Sequence, residues 1–198
     1  MSVAFTDGPR GNLSDSLGGE SRQVTGVLLA VLCNPPTGPR MGSTSVANLG
    51  VLRDMLGYHE VQIANLVPVA TRSTSDLAGE WDSITRTDVA RRIEAAARLA
   101  DGVVVGWGVG QPAGWPRARW TDLTNAATSA IHVAGHEFML HVGAHPRHPS
   151  RWRQFTGPTH KRFSGPDFGS RLLQALEQTQ LGPATTPLVP ISGARHHP

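Results

Sequence analysis

Polar or aromatic side chains follow four hydrophobic segments of this chain, at the point where each segment ends. They are Asn34, Asn65, Trp107 and His148. In an open α/β sheet the carboxyl ends of the strands meet at one edge, and ligands bind in the crevice there. We therefore expect these four side chains to converge on one pocket.

The amides and the imidazole of this set are suited to binding a polar ring. A side-chain amide has one acceptor and two donors, so Asn34 can orient a water molecule and Asn65 can bind the edge of a nucleobase. The imidazole of His148 can donate to a carbonyl oxygen that gains negative charge as a bond breaks. Two simpler interpretations stay open, namely Asn34 as a turn residue that bonds its own backbone and Asn65 as a strand-end cap.

Neither a metal nor a cofactor is predicted. The histidines near the last cluster are separated by four, five, four and three residues, which is not a standard ligand spacing. Residues 106–110 contain three glycines but lack the spacing and the following acid of a dinucleotide-binding fingerprint. The only cysteine, Cys33, lies at a strand end, where a small buried thiol is the expected role.

The segment between Glu137 and Asp167 contains no acidic residue. Its cationic side chains are Arg147, Arg151, Arg153, Lys161 and Arg162. A basic face of this kind suits the phosphate backbone of a nucleic acid, and the alternative is a solvated arginine-rich loop.

Length and composition indicate one domain of 198 residues with loose ends. Residues 1–22 are predicted to be a disordered leader, residues 23–181 an α/β domain, and residues 182–198 a disordered tail. No segment has the length and apolarity of a signal peptide or a membrane span, so we expect a cytoplasmic protein that does not enter membranes.

Hydrophobic periodicity predicts a three-layer α/β/α domain with a mostly parallel sheet of four or five strands. Strands are expected at residues 24–32, 60–66 and 103–105, and helices over residues 46–56 and from residues 87 and 116. Residues 131–134 and 138–142 are two further strand candidates, and residues 170–181 are predicted to form a closing helix.

In order along the chain, these clusters resemble the uracil-DNA glycosylase superfamily. The similarity rests on Asn34-Pro35, Asn65-Leu66-Val67-Pro68, a strand ending in Gly106, and His148-Pro149-Ser150. They are also similar to an uncharacterised bacterial and phage family with Asn-Pro, Asn-Leu-x-Pro, Trp-Gly and Arg-His-Pro motifs, which here include Trp107-Gly108 and Arg147-His148-Pro149.

The resemblance implies a monofunctional DNA glycosylase, without cofactor, that flips a pyrimidine out of DNA and removes it. Asn34 would position the attacking water, and His148 would stabilise the departing base. Asn65, with Pro35 and Trp107, would bind that base. The loop from Ser150 to Arg153 would contact DNA, with Trp152 filling the vacated stack.

The first loop lacks the Asp and His of the main uracil-excising branch, so Asp76 or Glu80 is a candidate carboxylate that assists. The only lysine, Lys161, lies beyond the motifs, which argues against strand cleavage through a Schiff base. We expect a monomer that acts in repair or in defence against phage DNA with modified bases. The alternatives are hydrolysis of a free nucleotide or nucleoside, and a non-catalytic nucleic-acid binder on the same scaffold.

Overall fold

A computed structural model describes residues 26–35 and 43–182 of the chain. The predicted leader, and the predicted tail apart from Gly182, lie outside the described residues, as does Pro36 of the first cluster.

The described residues form a five-stranded sheet that is parallel except for its last strand. The strands are β1 (Val27–Leu32), β2 (Glu60–Asn65), β3 (Gly102–Gly106), β4 (Phe138–Val142) and β5 (Leu176–Gln180). Their order across the sheet is β2-β1-β3-β4-β5. Strand β1 lies between β2 and β3 and is apolar throughout. Its residues from Leu28 to Leu32 are buried on both faces of the sheet, which is why it lacks the alternation of a one-sided strand.

Helices cover both faces of this sheet. They are α1 (Ser43–Leu56), α2 (Arg86–Ala97), α3 (Arg117–Val133), α4 (Trp152–Phe155) and α5 (Phe168–Gln174). Ile93 of α2 and Leu123 of α3 belong to one hydrophobic core, whereas Leu49 of α1 and Leu172 of α5 belong to a second core on the other face. The prediction of an α/β domain with helices on both sides of a mostly parallel sheet is therefore confirmed.

Two predicted elements are wrong. Residues 131–133 are not a strand but the last turn of α3, in which Ile131 is fully buried, and Ala134 caps that helix. The closing helix ends at Gln174, and the chain then forms β5 antiparallel to β4, with Val142 paired to Leu176 and Phe138 to Gln180. Pairing with the open edge of β4 outweighs the helical preference of Leu-Glu-Gln.

Three short 3-10 turns connect the remaining elements, at Thr74–Leu77, Pro149–Arg151 and Pro158–His160. The first two lie beyond the carboxyl ends of β2 and β4, so they flank the crevice in which an open α/β sheet binds ligands. Within residues 26–35 and 43–182, no helix has the length and apolarity needed to cross a membrane.

Candidate functional site

A cavity of about 440 Å³ opens beyond the carboxyl ends of the parallel strands. Its described lining combines two arginines, one histidine, two amides and four hydroxyl groups, and none of these residues is Asp or Glu. The lining residues are Cys33, Asn34, Thr71, Arg72, Ser73, Thr74, Trp107, Gly108, Gly110, Gln111, Pro112, His148, Ser150 and Arg151. A polar cavity with positive charge and no lining carboxylate suits an anionic ligand.

Asn34 is held at the end of β1 by contacts of its amide nitrogen. Nδ2 donates to the hydroxyl oxygen of Thr71 at 2.9 Å and to the backbone oxygen of Pro35 at 3.0 Å. Beyond the strand, Val67 donates its backbone N–H to the oxygen of Cys33 at 2.8 Å, which keeps the two chain segments together. Because both donors of Asn34 are used, its Oδ1 is the atom left to accept a hydrogen bond from a ligand or a water molecule.

His148 also lines the cavity and is held there by the turn that follows it. The imidazole caps the 3-10 turn, since its Nδ1 accepts the backbone N–H of Ser150 at 3.3 Å and lies 2.9 Å from the Ser150 hydroxyl oxygen. A backbone N–H can only donate, so Nδ1 is the acceptor and the neutral ring carries its proton on Nε2. His148 therefore offers a hydrogen-bond donor from Nε2.

The protonation state of His148 follows from its surroundings. Burial, and then the positive charge of Arg151, lower the pKa of the imidazole from its ordinary value of 6.5. Both effects disfavour the charged ring, so His148 is neutral at pH 7 and acts there as a donor without carrying a charge.

The buried residue Asn48, on α1, fixes the turn that carries His148. Its Nδ2 donates to the backbone oxygen of Pro149 at 2.8 Å, and its Oδ1 accepts from Nε of Arg153 at 2.9 Å. Asn48 is 0% exposed, so both of its polar atoms depend on these partners. Asn48 was not among the predicted site residues; its signal in the sequence is an amide among the apolar positions of a predicted helix.

Glycines at the end of β3 let the same turn approach the sheet. A side-chain carbon at Gly106 would lie 2.9 Å from Cδ of Pro149 and 3.1 Å from Cδ2 of Leu32. Gly108 has a φ of 112° and donates its N–H to the oxygen of Pro146 at 2.7 Å. Between them, the buried indole of Trp107 supplies an apolar part of the cavity wall.

A run of polar residues after β2 supplies the remaining wall. Arg72 is exposed, and Ser73 starts the turn at Thr74–Leu77 as its capping residue. The carboxylate of Asp76 accepts the backbone N–H of Ser73 at 3.1 Å, so it stabilises this turn and does not line the cavity. Sequence analysis did not assign Arg72, Ser73, Thr74 or Gln111 to the site, although this Thr-Arg-Ser-Thr run at a strand end was a usable signal.

Cys33 lines the cavity floor as a buried thiol, as expected. Burial raises its pKa to about 12. Because the thiolate is the reactive form of cysteine, Cys33 is protonated and unreactive at neutral pH.

The part of the chain that contains Asn34 and His148 matches a known protein family. Residues 22–150 match the family described as "Protein of unknown function (DUF1643)". The chain belongs to this family. The DUF1643 match includes Asn34 and His148 and ends at Ser150, one residue before Arg151. No curated protein and no solved structure matches the chain.

Of the predicted site residues, five line this cavity: Asn34, Trp107, His148, Ser150 and Arg151. Asn65 and Pro35 line a separate depression beside Arg92 of α2, so the prediction that Asn65 shares a pocket with Asn34 and His148 is wrong. Its Oδ1 is buried and has no partner among the described residues. Asn65 lies beside Arg92 and Ala96 of α2, and the chain that follows β2 lines the cavity only from Thr71 onward.

The predicted role of Trp152 is also wrong. Its side chain is 0% exposed in the core between the sheet and α1, and its Nε1 donates to the backbone oxygen of Arg147 at 2.7 Å. A ring that anchors the turn from below cannot enter a DNA stack. Asp76 and Glu80, the two candidate carboxylates, do not line the cavity either.

The predicted DNA-binding cations fall into three groups. Arg147, Arg151 and Arg162 line one groove next to the cavity. Arg153 is directed to α1 and α5, where its guanidinium bonds Asn48 and lies 4.2 Å from the centre of the Phe168 ring. Lys161 is exposed and lines neither the cavity nor the groove.

Histidines considered as metal ligands make other contacts. Nε2 of His136 lies 2.9 Å from the backbone oxygen of Ala97, and Nε2 of His141 lies 2.8 Å from the Thr179 hydroxyl. In the part of the chain that the structure describes, no three His, Cys, Asp or Glu side chains are grouped so that they could hold a metal ion.

Proposed function

We propose that the protein is a monofunctional DNA glycosylase that hydrolyses the N-glycosidic bond of a nucleotide turned out of DNA into the cavity. The observation that carries this proposal is that Asn34 and His148 line the same cavity, together with Arg72 and Arg151. Together they supply an acceptor for a water molecule, a neutral donor for the base, and cations for flanking phosphates.

The reaction breaks the bond between C1′ of the sugar and the base nitrogen, and the oxygen of water forms a new bond to C1′. One proton of that water is released as the base takes up a proton, so the products are an abasic sugar and the free base. Oδ1 of Asn34 orients the water by accepting a hydrogen bond from it. Nε2–H of His148 donates to the carbonyl oxygen of the base while that oxygen gains negative charge.

The described cavity residues include no carboxylate that could take a proton from water. An amide can orient water but does not deprotonate it. We therefore propose that the glycosidic bond is largely broken before water attacks, and that stabilisation of the departing base by His148 contributes most to the rate.

The resemblance to uracil-DNA glycosylases supports the same reaction class through Asn34-Pro35 and His148-Pro149-Ser150. With Asn65 outside the cavity, we assign recognition of the base to the amide of Gln111 and the wall formed by Trp107. The cavity volume of about 440 Å³ lies in the usual range for small-ligand sites, and we propose modified pyrimidines, such as those of phage DNA, as the first substrates to test.

Base release from DNA is the direct test. Duplex and single-stranded DNAs that are unmodified, contain uracil or carry phage-type modified pyrimidines are incubated with the protein, then treated with alkali to cleave abasic sites. On a cleaved substrate, we expect His148→Ala to lower kcat by about 10²- to 10³-fold. Asn34→Ala, which loses the oriented water, should lower it by about 10²-fold.

Matched controls are His145→Ala and Asn125→Ala, two exposed residues that do not line the cavity. Both controls should keep wild-type activity. The proposal would be overturned if the controls lost as much base-release activity as the cavity variants, or if the protein released no base from any DNA.

A second candidate is hydrolysis of a free nucleotide, which the burial of Trp152 favours because that residue cannot act on a duplex. In this case the cavity arginines would bind the phosphate of the nucleotide itself. Chromatography of free nucleotides incubated with the protein would show base release that depends on Asn34 and His148, with no release from DNA.

A further inference from the structure

A groove of about 350 Å³ lies on the surface formed by the chain after β4. We call it the basic groove. Its lining residues are Arg147, Arg151, Gln154, Phe155, His160 and Arg162.

One aromatic ring organises the charges of the basic groove. The guanidinium of Arg147 lies 4.0 Å from the centre of the Phe155 ring, and that of Arg162 lies 5.5 Å from it. The ring itself packs against Gly143 at the end of β4, where a side-chain carbon would be 2.5 Å from the ring. Stacking on a ring holds a guanidinium in place while its N–H edge stays available to an anion.

The positive charges of the groove are not neutralised by acidic residues. All ion pairs among the described residues involve side chains between Arg53 and Asp122, outside the basic groove. Nε of Arg147 is buried and has no hydrogen-bond partner in the described ranges. Burial is the larger cause of the lowered pKa of Arg147, and the neighbouring positive charge of Arg162 is the second.

Arg151 belongs to both recesses, because it lines the cavity and the basic groove. The two recesses are therefore adjacent along one surface. A nucleotide held in the cavity has its next phosphate on that surface, within the field of the groove arginines.

We propose that the basic groove binds the phosphodiester that flanks the nucleotide in the cavity, so that the substrate is a DNA strand rather than a free nucleotide. This inference rests on the proposed function, and it assigns Arg151 to the junction of the two recesses and Arg147 and Arg162 to the flanking phosphate. Arginine is suited to this contact because its planar fork pairs with two phosphate oxygens.

Equilibrium binding to fluorescein-labelled oligothymidylates of increasing length tests the inference without requiring base release. We expect a trinucleotide to bind at least about tenfold more tightly than the mononucleotide, since it adds a charge-assisted contact in the groove. Arg162→Gln should remove about tenfold of the trinucleotide affinity and leave mononucleotide binding unchanged.

The matched control is Arg98→Gln, which removes one exposed positive charge from the loop that leads into the opposite end of β3. It should leave the length dependence intact, and thermal unfolding should show that both variants fold. Equal affinity for mononucleotide and trinucleotide, or equal effects of Arg162→Gln and Arg98→Gln, would overturn the inference. Length-dependent binding without base release from any DNA would overturn the proposed glycosylase and leave the basic groove as a phosphodiester site.

Discussion

His148 shows how one backbone contact can set the chemical state of a side chain. Its Nδ1 accepts the N–H of Ser150, and this bond is lost if the ring is protonated at that nitrogen. The same contact keeps the proton of the neutral ring on Nε2. The turn therefore determines both the orientation of the imidazole and which nitrogen donates.

We predict that His148 titrates below 6.5, and that Arg151→Gln moves its pKa upward. Burial is the larger cause of the lowered pKa and the charge of Arg151 the second, so removal of that charge makes protonation easier. NMR titration of the His148 ring measures both values. On the acid side, the rate of the proposed base release should fall as His148 is protonated, because protonation breaks the bond from Ser150 that orients the ring. In Arg151→Gln this fall should begin at a higher pH. A wild-type pKa above 6.5 would contradict the prediction.

The positions of single residues at the cavity were predictable where their place at the end of a strand determined them. Asn34 and His148 were found because strand ends of a parallel sheet meet at one edge. Trp152 was misassigned because only the packed structure shows that its ring lies beneath the turn. Asn65 is the last residue of β2, but the sequence does not reveal that it lies beside α2 rather than at the cavity.

Among the elements, the end of β3 and the turn after β4 depend on each other. Gly106 lies against Pro149, Leu32 and the backbone oxygen of Arg147, so the turn sits directly on the strand end. Asn48 ties the same turn to α1 from the other side. His148 is thus positioned by β3 and α1, and neither element contains a residue that lines the cavity; Trp107 and Gly108 follow β3.

Gly106→Ala should destabilise the protein and displace the turn, because its new carbon would lie 2.9 Å from Cδ of Pro149. We expect a loss of about 1–3 kcal/mol in the free energy of unfolding in urea. Gly50→Ala is the control, since nothing lies within 4 Å of the added carbon in α1. That variant should instead stabilise the protein by about 0.5–1 kcal/mol. Equal stabilities of the two variants would contradict this account of Gly106.

The predicted elements failed where tertiary pairing outweighed local preference. Residues 131–133 have the β-branched composition of a strand, but Ile131 fits the core as the last turn of α3. Residues 176–180 contain good helix formers, yet β4 offers them an unpaired edge, and they extend to form β5. The alternation of helices and strands up to residue 130 was correct, because there the periodicity and the packing agree.

At the scale of the whole molecule, charge is divided between two regions. Among the described residues, acidic and basic side chains are paired on α1, α2, α3 and β2. Arg72, Arg147, Arg151 and Arg162 lie around the cavity and the basic groove, and no described acidic residue forms an ion pair with them. The net charge of +3 conceals this asymmetry. We therefore expect a polyanion to bind at the cavity and the basic groove rather than at the other described surfaces.

Binding of single-stranded DNA should weaken as salt rises, with a log–log slope of about −0.7 for each phosphate that the protein neutralises. Arg72→Gln removes a cavity cation and should make this slope shallower by about 0.7. The control is Arg86, whose guanidinium joins α2 to Asp122 of α3. Arg86→Gln should leave the slope unchanged. Anisotropy titrations over a range of salt concentrations measure the slopes, and identical slopes for both variants would argue against a single preferred surface.

The state of Cys33 has a practical consequence for experiments on this chain. The only sulfhydryl in the sequence is buried and protonated, so alkylating reagents that require a thiolate should leave it unmodified at neutral pH. A cysteine introduced at an exposed position can then be labelled selectively with a fluorophore or a spin probe, without first replacing the native one. With one such label on each side of the crevice, the distance between the two labels becomes measurable in solution on an otherwise unaltered chain.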